Sequence, residues 1–180
     1  MSNEEAKDKF SNTMEIRSDI LWSVAVNYNY TNYFYTTTSW RGENSHWSYI
    51  QFNFFKVLVI DAAKLFIDTG NQKFNLFNLI TNLETGEFRN LGVQVSRLQY
   101  YRNQLSAFNQ FFDSIKEYRD RVFAHTDYMA GLNPGPLFFS HLEELINLGY
   151  EFMKETSMAI TGKLIHNPIN KTNLADLKLV

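Results

Sequence analysis

The sequence has no cysteine, three prolines and eight glycines in 180 residues. Without cysteine there is no disulfide, no thiolate nucleophile and no cysteine-ligated zinc, a pattern that fits a cytoplasmic protein. Scarce proline and glycine leave few places where a helix must stop, so long elements are expected. Long apolar runs are missing too. The longest, Val57 to Ile67, contains Asp61 and Lys64 and is too short to cross a bilayer, so no membrane partner is expected. The first residues, MSNEEAKDKF, are polar and charged, unlike a signal peptide. Net charge is only -2, so nucleic-acid binding would have to rest on a local patch. No glycine-rich phosphate loop occurs, which leaves ATP hydrolysis and NAD chemistry without support, and nothing local suggests a serine triad.

Aromatic residues are abundant, with 16 Phe, 10 Tyr and 3 Trp, and large rings are expected to fill the core. The apolar residues recur at spacings of three and four, which predicts an all-α, up-down helical bundle of four to five helices. The first helix is expected from just after Asn3 to about Thr36, with Ile16, Ile20, Leu21, Val24, Tyr28, Thr31 and Tyr35 at helical spacing. Ser39 to Ser45 reads as a loop, with Ser45 capping a second helix over His46 to about Ile67 that Gly70 ends. A short helix follows over Phe74 to Asn82, stopped near Gly86. A fourth is expected to run unbroken from Gln94 to about Tyr128, with Gly131 and Asn133 to Pro136 as its stop. A fifth spans about Leu137 to Thr161, ended by Gly162, and Pro168 prevents its return. Residues 1–162 therefore read as one domain and 163–180 as a C-terminal tail.

The fourth helix carries an anomaly. Leu98, Tyr101, Leu105, Phe108, Phe112, Ile115, Arg119 and Val122 fall at core-facing spacing, and only Arg119 is charged. Stripping water from a guanidinium costs several kcal/mol unless it is paired. His125 follows, about 9 Å along an ideal helix axis and about 120° around it. Two explanations stand. Arg119 pairs with a carboxylate on another helix or extends its head to water, while His125 sits as a satisfied residue near a helix C-terminus. Otherwise the two residues meet an anion. From Arg89 to Arg121 there are six cations (Arg89, Arg97, Arg102, Lys116, Arg119, Arg121) against three acids (Asp113, Glu117, Asp120). Tyr100 and Tyr101 could present stacking faces, although tyrosines at this spacing also suit a core.

RDRVFAH, Arg119 to His125, resembles the signature of the HEPN superfamily: an arginine, a polar follower (Asp120) and a histidine after a short gap. The longer YRDRVFAHTD, with LFID at Leu65 to Asp68, is similar to its abortive-infection (AbiU-like) branch. The resemblance implies a helical homodimer with the motif at the dimer interface, often a metal-independent ribonuclease of toxin and phage-defence systems. It makes Arg119, His125 and Asp120 the expected catalytic residues, and RNA and an antitoxin protein the expected partners. Arg121, Lys116 and Arg102 are then the expected RNA-binding residues. Other members keep the fold and only bind nucleotides or proteins. Tyr128 lies three positions after His125, where one toxin branch has a modified tyrosine two positions after, so that feature does not carry over.

Other chemistries have less behind them. Arg121 and His125 share a helix face, but at a shorter spacing than the family's. Glu43 and His46 have the carboxylate–histidine spacing of di-iron bundles without a second copy, and His125, Asp127 and His141 would need tertiary convergence. No metal and no cofactor is expected.

Overall fold

The computed structural model describes residues 2–36, 45–67, 72–124 and 135–165. Six α-helices occur among them: α1 (Asn3–Thr36), α2 (Ser45–Phe66), α3 (Leu76–Glu84), α4 (Val95–Ser106), α5 (Asn109–Ala124) and α6 (Pro136–Thr161). The all-α bundle is as expected. The expected features at Ser39 to Asn44, Gly70, Asp127, Tyr128, Gly131 and Pro168 lie outside the described residues, as do His125 and the side chain of Val122. At the start of the expected tail Ile165 packs on the core, and the Ser157 hydroxyl donates to the Lys163 carbonyl at 2.9 Å.

The helix count exceeds the expectation because the long fourth helix is two. Between α4 and α5 the Phe108 N–H donates to the Leu105 carbonyl at 3.1 Å, a step of three residues instead of four. The α-helical register resumes at once, with the Phe112 N–H donating to Phe108 at 2.9 Å. Such a 3₁₀ step turns the chain by ~120° per residue instead of ~100°, so it re-aims every later side chain. Neither glycine nor proline marks it. Phe108 and Phe111 then face His141 on α6, with ring centroids 6.2 and 5.2 Å away.

Cross-helix pairs give the topology. Ser23 on α1 donates to Asp61 on α2, whereas Tyr30 farther along α1 stacks on Phe54, earlier in α2, so the two helices run antiparallel. Tyr28 donates to Glu143 on α6 at 3.0 Å, and Met14 shares a cleft with Ser157, so α6 also opposes α1. Both α4 and α5 oppose α6, since Arg97 meets Glu155, Tyr101 meets Phe152, and Tyr118 meets Phe138. The centre is aromatic: Phe55, Phe111, Tyr118, Phe138 and Phe139 pack largely edge to face at centroid distances of 5.1 to 5.9 Å. At one point α6 has no side chain. A Cβ on Gly149 would lie 3.1 Å from the Phe66 ring at the end of α2 and 3.4 Å from a Leu76 methyl at the start of α3.

On α1 the buried stripe is Phe10, Met14, Arg17, Leu21, Val24, Tyr28 and Thr31. Ile16, expected inside, is 41% exposed, and Arg17 takes the inward position at 2%. Arg17 donates to the Thr13 carbonyl and to the Lys73 carbonyl, both at 3.0 Å, and lies 5.9 Å from the centroid of the Phe74 ring. Among the described residues its buried Nε has no partner and no carboxylate pairs with it. Burial lowers its pKa to about 10, partly opposed by the charge of Glu87, so it stays cationic at neutral pH. Two residues on, Asn75 caps α3, its side chain accepting from the Asn78 N–H at 2.6 Å and donating to Gln72.

Arg17→Ala is therefore expected to destabilise the fold by about 2–4 kcal/mol, through lost packing and an orphaned carbonyl. Arg17→Met keeps the stem and removes a buried charge, and is expected to cost less. Urea unfolding of both variants checks this, and equal losses would refute the account. Gly162 closes α6 at φ +69°, so Gly162→Ala is expected to cost about 1 kcal/mol in the same assay.

Candidate functional site

Four of the six expected site residues, Lys116, Arg119, Asp120 and Arg121, lie on α5, and Arg102 lies on α4. His125, one position beyond the last residue of α5, is outside the described residues. The α5 seam runs through Phe112 and Ile115, which are buried, to Arg119, whose side chain is 26% exposed. Arg119 sits at the edge of the core, not inside it. Its Nε and Nη2 both donate to Oδ1 of Asp120, at 2.9 and 2.8 Å. Asp120 is itself 68% exposed, so the partner is neither an internal acid nor on another helix.

The structure brings Arg102 and Lys116 together. Both line a cleft of about 340 Å³ beside the α4–α5 step, with Ser106, Asn109, Phe112 and Asp113. Arg102 is anchored from α3: it donates to Glu84 at 2.7 Å and to the Thr81 hydroxyl at 3.1 Å. Lys116 pairs along its own helix with Asp113 at 3.1 Å. Arg119 is three positions beyond Lys116, on nearly the same face, and Arg121 is turned ~160° from Arg119 and pairs with Glu117. Arg121 is therefore separated from the other cations.

These pairings answer the local charge excess. Glu84 and Glu155, from outside the basic segment, neutralise Arg102 and Arg97, and Asp113, Asp120 and Glu117 take Lys116, Arg119 and Arg121. Among the described residues only Arg89 of the six cations has no ion pair. Glu43 lies outside the described residues. No group of three or more histidine, aspartate or glutamate side chains converges among the described ones.

One cluster escaped the sequence reading. Arg97 makes a two-pronged bond to Glu155, at 2.7 and 2.6 Å, with its guanidinium 5.0 Å from the Tyr100 ring centre and 5.2 Å from that of Tyr101. Tyr101 is buried against Phe152, while Tyr100 is 47% exposed. The bond to Arg97 holds Glu155 below its usual pKa against a smaller opposing effect of burial. The Tyr101 hydroxyl is pushed up, first by burial and then by Glu155. Sequence spacing on α4 alone could not disclose a partner 58 positions away.

Because the folded pKa of Glu155 is lowered, its stabilising effect is present above the unfolded carboxylate value of ~4.3 and is lost as pH falls through the folded one. Glu155→Gln is expected to flatten the acid limb of the stability–pH profile, measured by thermal melts from pH 7 to 3. An unchanged acid limb would mean the pair is fully screened. Comparison with protein-family models, with curated proteins and with solved structures finds no match to this chain.

Proposed function

We propose that the chain is a HEPN-type endoribonuclease of a toxin or phage-defence system, working without a metal as a homodimer. The observation that supports this most is the state of Arg119. It is the one cation in the apolar seam of α5, and among the described residues the acid it pairs with is its exposed neighbour Asp120. An exposed pair of this kind is worth about 0–1 kcal/mol, so a phosphate can displace the carboxylate at little cost. His125 follows in the sequence, and an imidazole titrates near neutral pH.

In this reading RNA supplies its own nucleophile. A histidine takes the proton of the 2′-OH, and the 2′-oxygen attacks phosphorus. The bond to the 5′-oxygen breaks, and that oxygen takes up a proton from an acid. Arginine holds the charge that builds on the phosphorane. Two copies of the motif in a dimer groove would supply base, acid and clamp together. The products are a 2′,3′-cyclic phosphate and a 5′-OH. Lys116 and Arg102, which share a cleft, would lie along the approach of the strand.

A silent binding module is the second reading. What favours it is the pairing of five of the six basic-segment cations with acids, which leaves little free positive field for RNA. Purified protein incubated with RNA in EDTA separates the two. Cleavage to cyclic-phosphate ends is expected, and His125→Ala or Arg119→Ala is expected to lower it at least ~100-fold while the helical spectrum stays the same. Cleavage by His125→Ala at the parent rate would remove the catalytic assignment, and a parent that cuts no RNA would favour the silent module.

A further inference from the structure

We propose that the outer face of the α1–α2 pair is an interface with a second copy of this chain. The outer side of α1 changes character halfway along. At ~100° per residue, Glu4, Asp8, Glu15 and Asp19 fall opposite the buried stripe, as a solvated face does. The same side then carries Trp22, Val26, Tyr30 and Tyr33, and from Ile20 to Thr36 there is no Asp, Glu, Lys or Arg. In α2 the order is reversed. Tyr49, Ile50, Asn53, Val57 and Ile60 lie opposite its buried residues, and Lys64 follows on that side. From Ser45 to Ile60 the one such charge is Lys56, at the edge of this face.

The two uncharged lengths lie side by side. Ser23 bonds Asp61 at 2.7 Å, and Tyr30 stacks on Phe54 at 4.5 Å, so Trp22 to Tyr33 runs beside Ile60 to Tyr49. Each covers about 16 Å of helix axis. Tyr49 is 63%, Trp22 52% and Val57 39% exposed, and Val26, Tyr30, Tyr33 and Ile60 are half-buried. A helix without charge on its outer side as well as its inner one has the pattern of an element covered on both. The centre of a protein interface is poor in charge and rich in aromatic rings, as this face is.

The charges at one end of the face select the occupant. Asp19 lies four positions before Ser23 and Lys64 three after Asp61, so they stand level on neighbouring antiparallel helices. Asp19 makes no ion pair and no side-chain hydrogen bond among the described residues. Lys64 turns along its own helix to Asp61, with half of its side chain exposed. A two-fold axis parallel to the helices lays α1 of one copy along α2 of the other at the same level. Asp19 then meets the partner's Lys64, Lys64 meets the partner's Asp19, and the uncharged lengths cover each other. A second copy thus supplies both the apolar cover and the opposite charges. The face includes no residue of α5, so the inference is independent of the ribonuclease reading.

Sedimentation velocity of the full chain at micromolar concentration tests the proposal. Val26→Glu and Val57→Glu, both on the outer side, are each expected to weaken association at least ~100-fold and halve the particle mass with the helical spectrum unchanged. The mass falls from two chains to one, or from four to two if the α5 motif makes a contact of its own. Asp19→Lys and Lys64→Glu are each expected to weaken association about tenfold. An equal mixture of these two variants is expected to regain the parent's mass, because both contacts of the mixed pair then join unlike charges. Misfolding would not produce that recovery. A parent that sediments as one chain, a mass unchanged by Val57→Glu, or a mixture no heavier than its components would each overturn the proposal, and none of these outcomes depends on RNA cleavage.

Discussion

A guanidinium enclosed between α1 and the segment before α3 is the constraint on which much of the rest depends. Arg17 cannot be solvated where it lies, so the chain must offer it carbonyls, and it does so from two directions. The Lys73 carbonyl is thereby fixed, Asn75 stands two residues on, and its side chain caps α3. From α3 the Thr81 hydroxyl and the Glu84 carboxylate reach Arg102 and hold it at the cleft it shares with Lys116. A charge buried near the start of the chain thus helps to set the position of a charge on α4. The link passes through hydrogen bonds and the backbone of α3, and hydrogen bonds are directional in a way that apolar packing is not.

The aromatic interior works differently. Phe55, Tyr118, Phe138 and Phe139 meet edge to face with no polar group required among them, and Tyr28 places only its hydroxyl against Glu143. Such contacts fix how far apart helices lie more than which residue meets which. Register comes from the few polar links laid across the packing: Ser23 to Asp61, Tyr28 to Glu143, and Arg97 to Glu155. Each joins a different pair of helices.

Much of this was legible in the residues. The end of α1 at Thr36, the extent of α2 and the stop at Gly162 follow from punctuation and period alone. Three features did not. The step at Ala107 and Phe108 has no glycine or proline, because a single hydrogen bond to the third residue back asks for no unusual backbone angle. Arg17 was missed by an error of phase. Counting from Ile16 gives a plausible stripe, whereas counting from Phe10 puts Arg17 inside, the same argument that singled out Arg119. Arg17 is buried and needs partners within the fold, whereas Arg119 lies at the margin, where its guanidinium reaches water. The ion pairs of α4 depend on α3 and α6, and no local count of charge could include Glu84 or Glu155.

Gly149 has a consequence for how the chain can vary. Phe66 and Leu76 both come to rest against the bare backbone of α6 at that residue, so the two ends of the connection from α2 to α3 are pinned to a common point. Whatever joins them begins and finishes at fixed positions. The entropy of closing such a loop rises by only about 0.6 kcal/mol for each doubling of its length. Descendants of this sequence have latitude to lengthen the connection ahead of Gln72, while a methyl group at position 149 would ask the Phe66 ring to give way by a few tenths of an ångström.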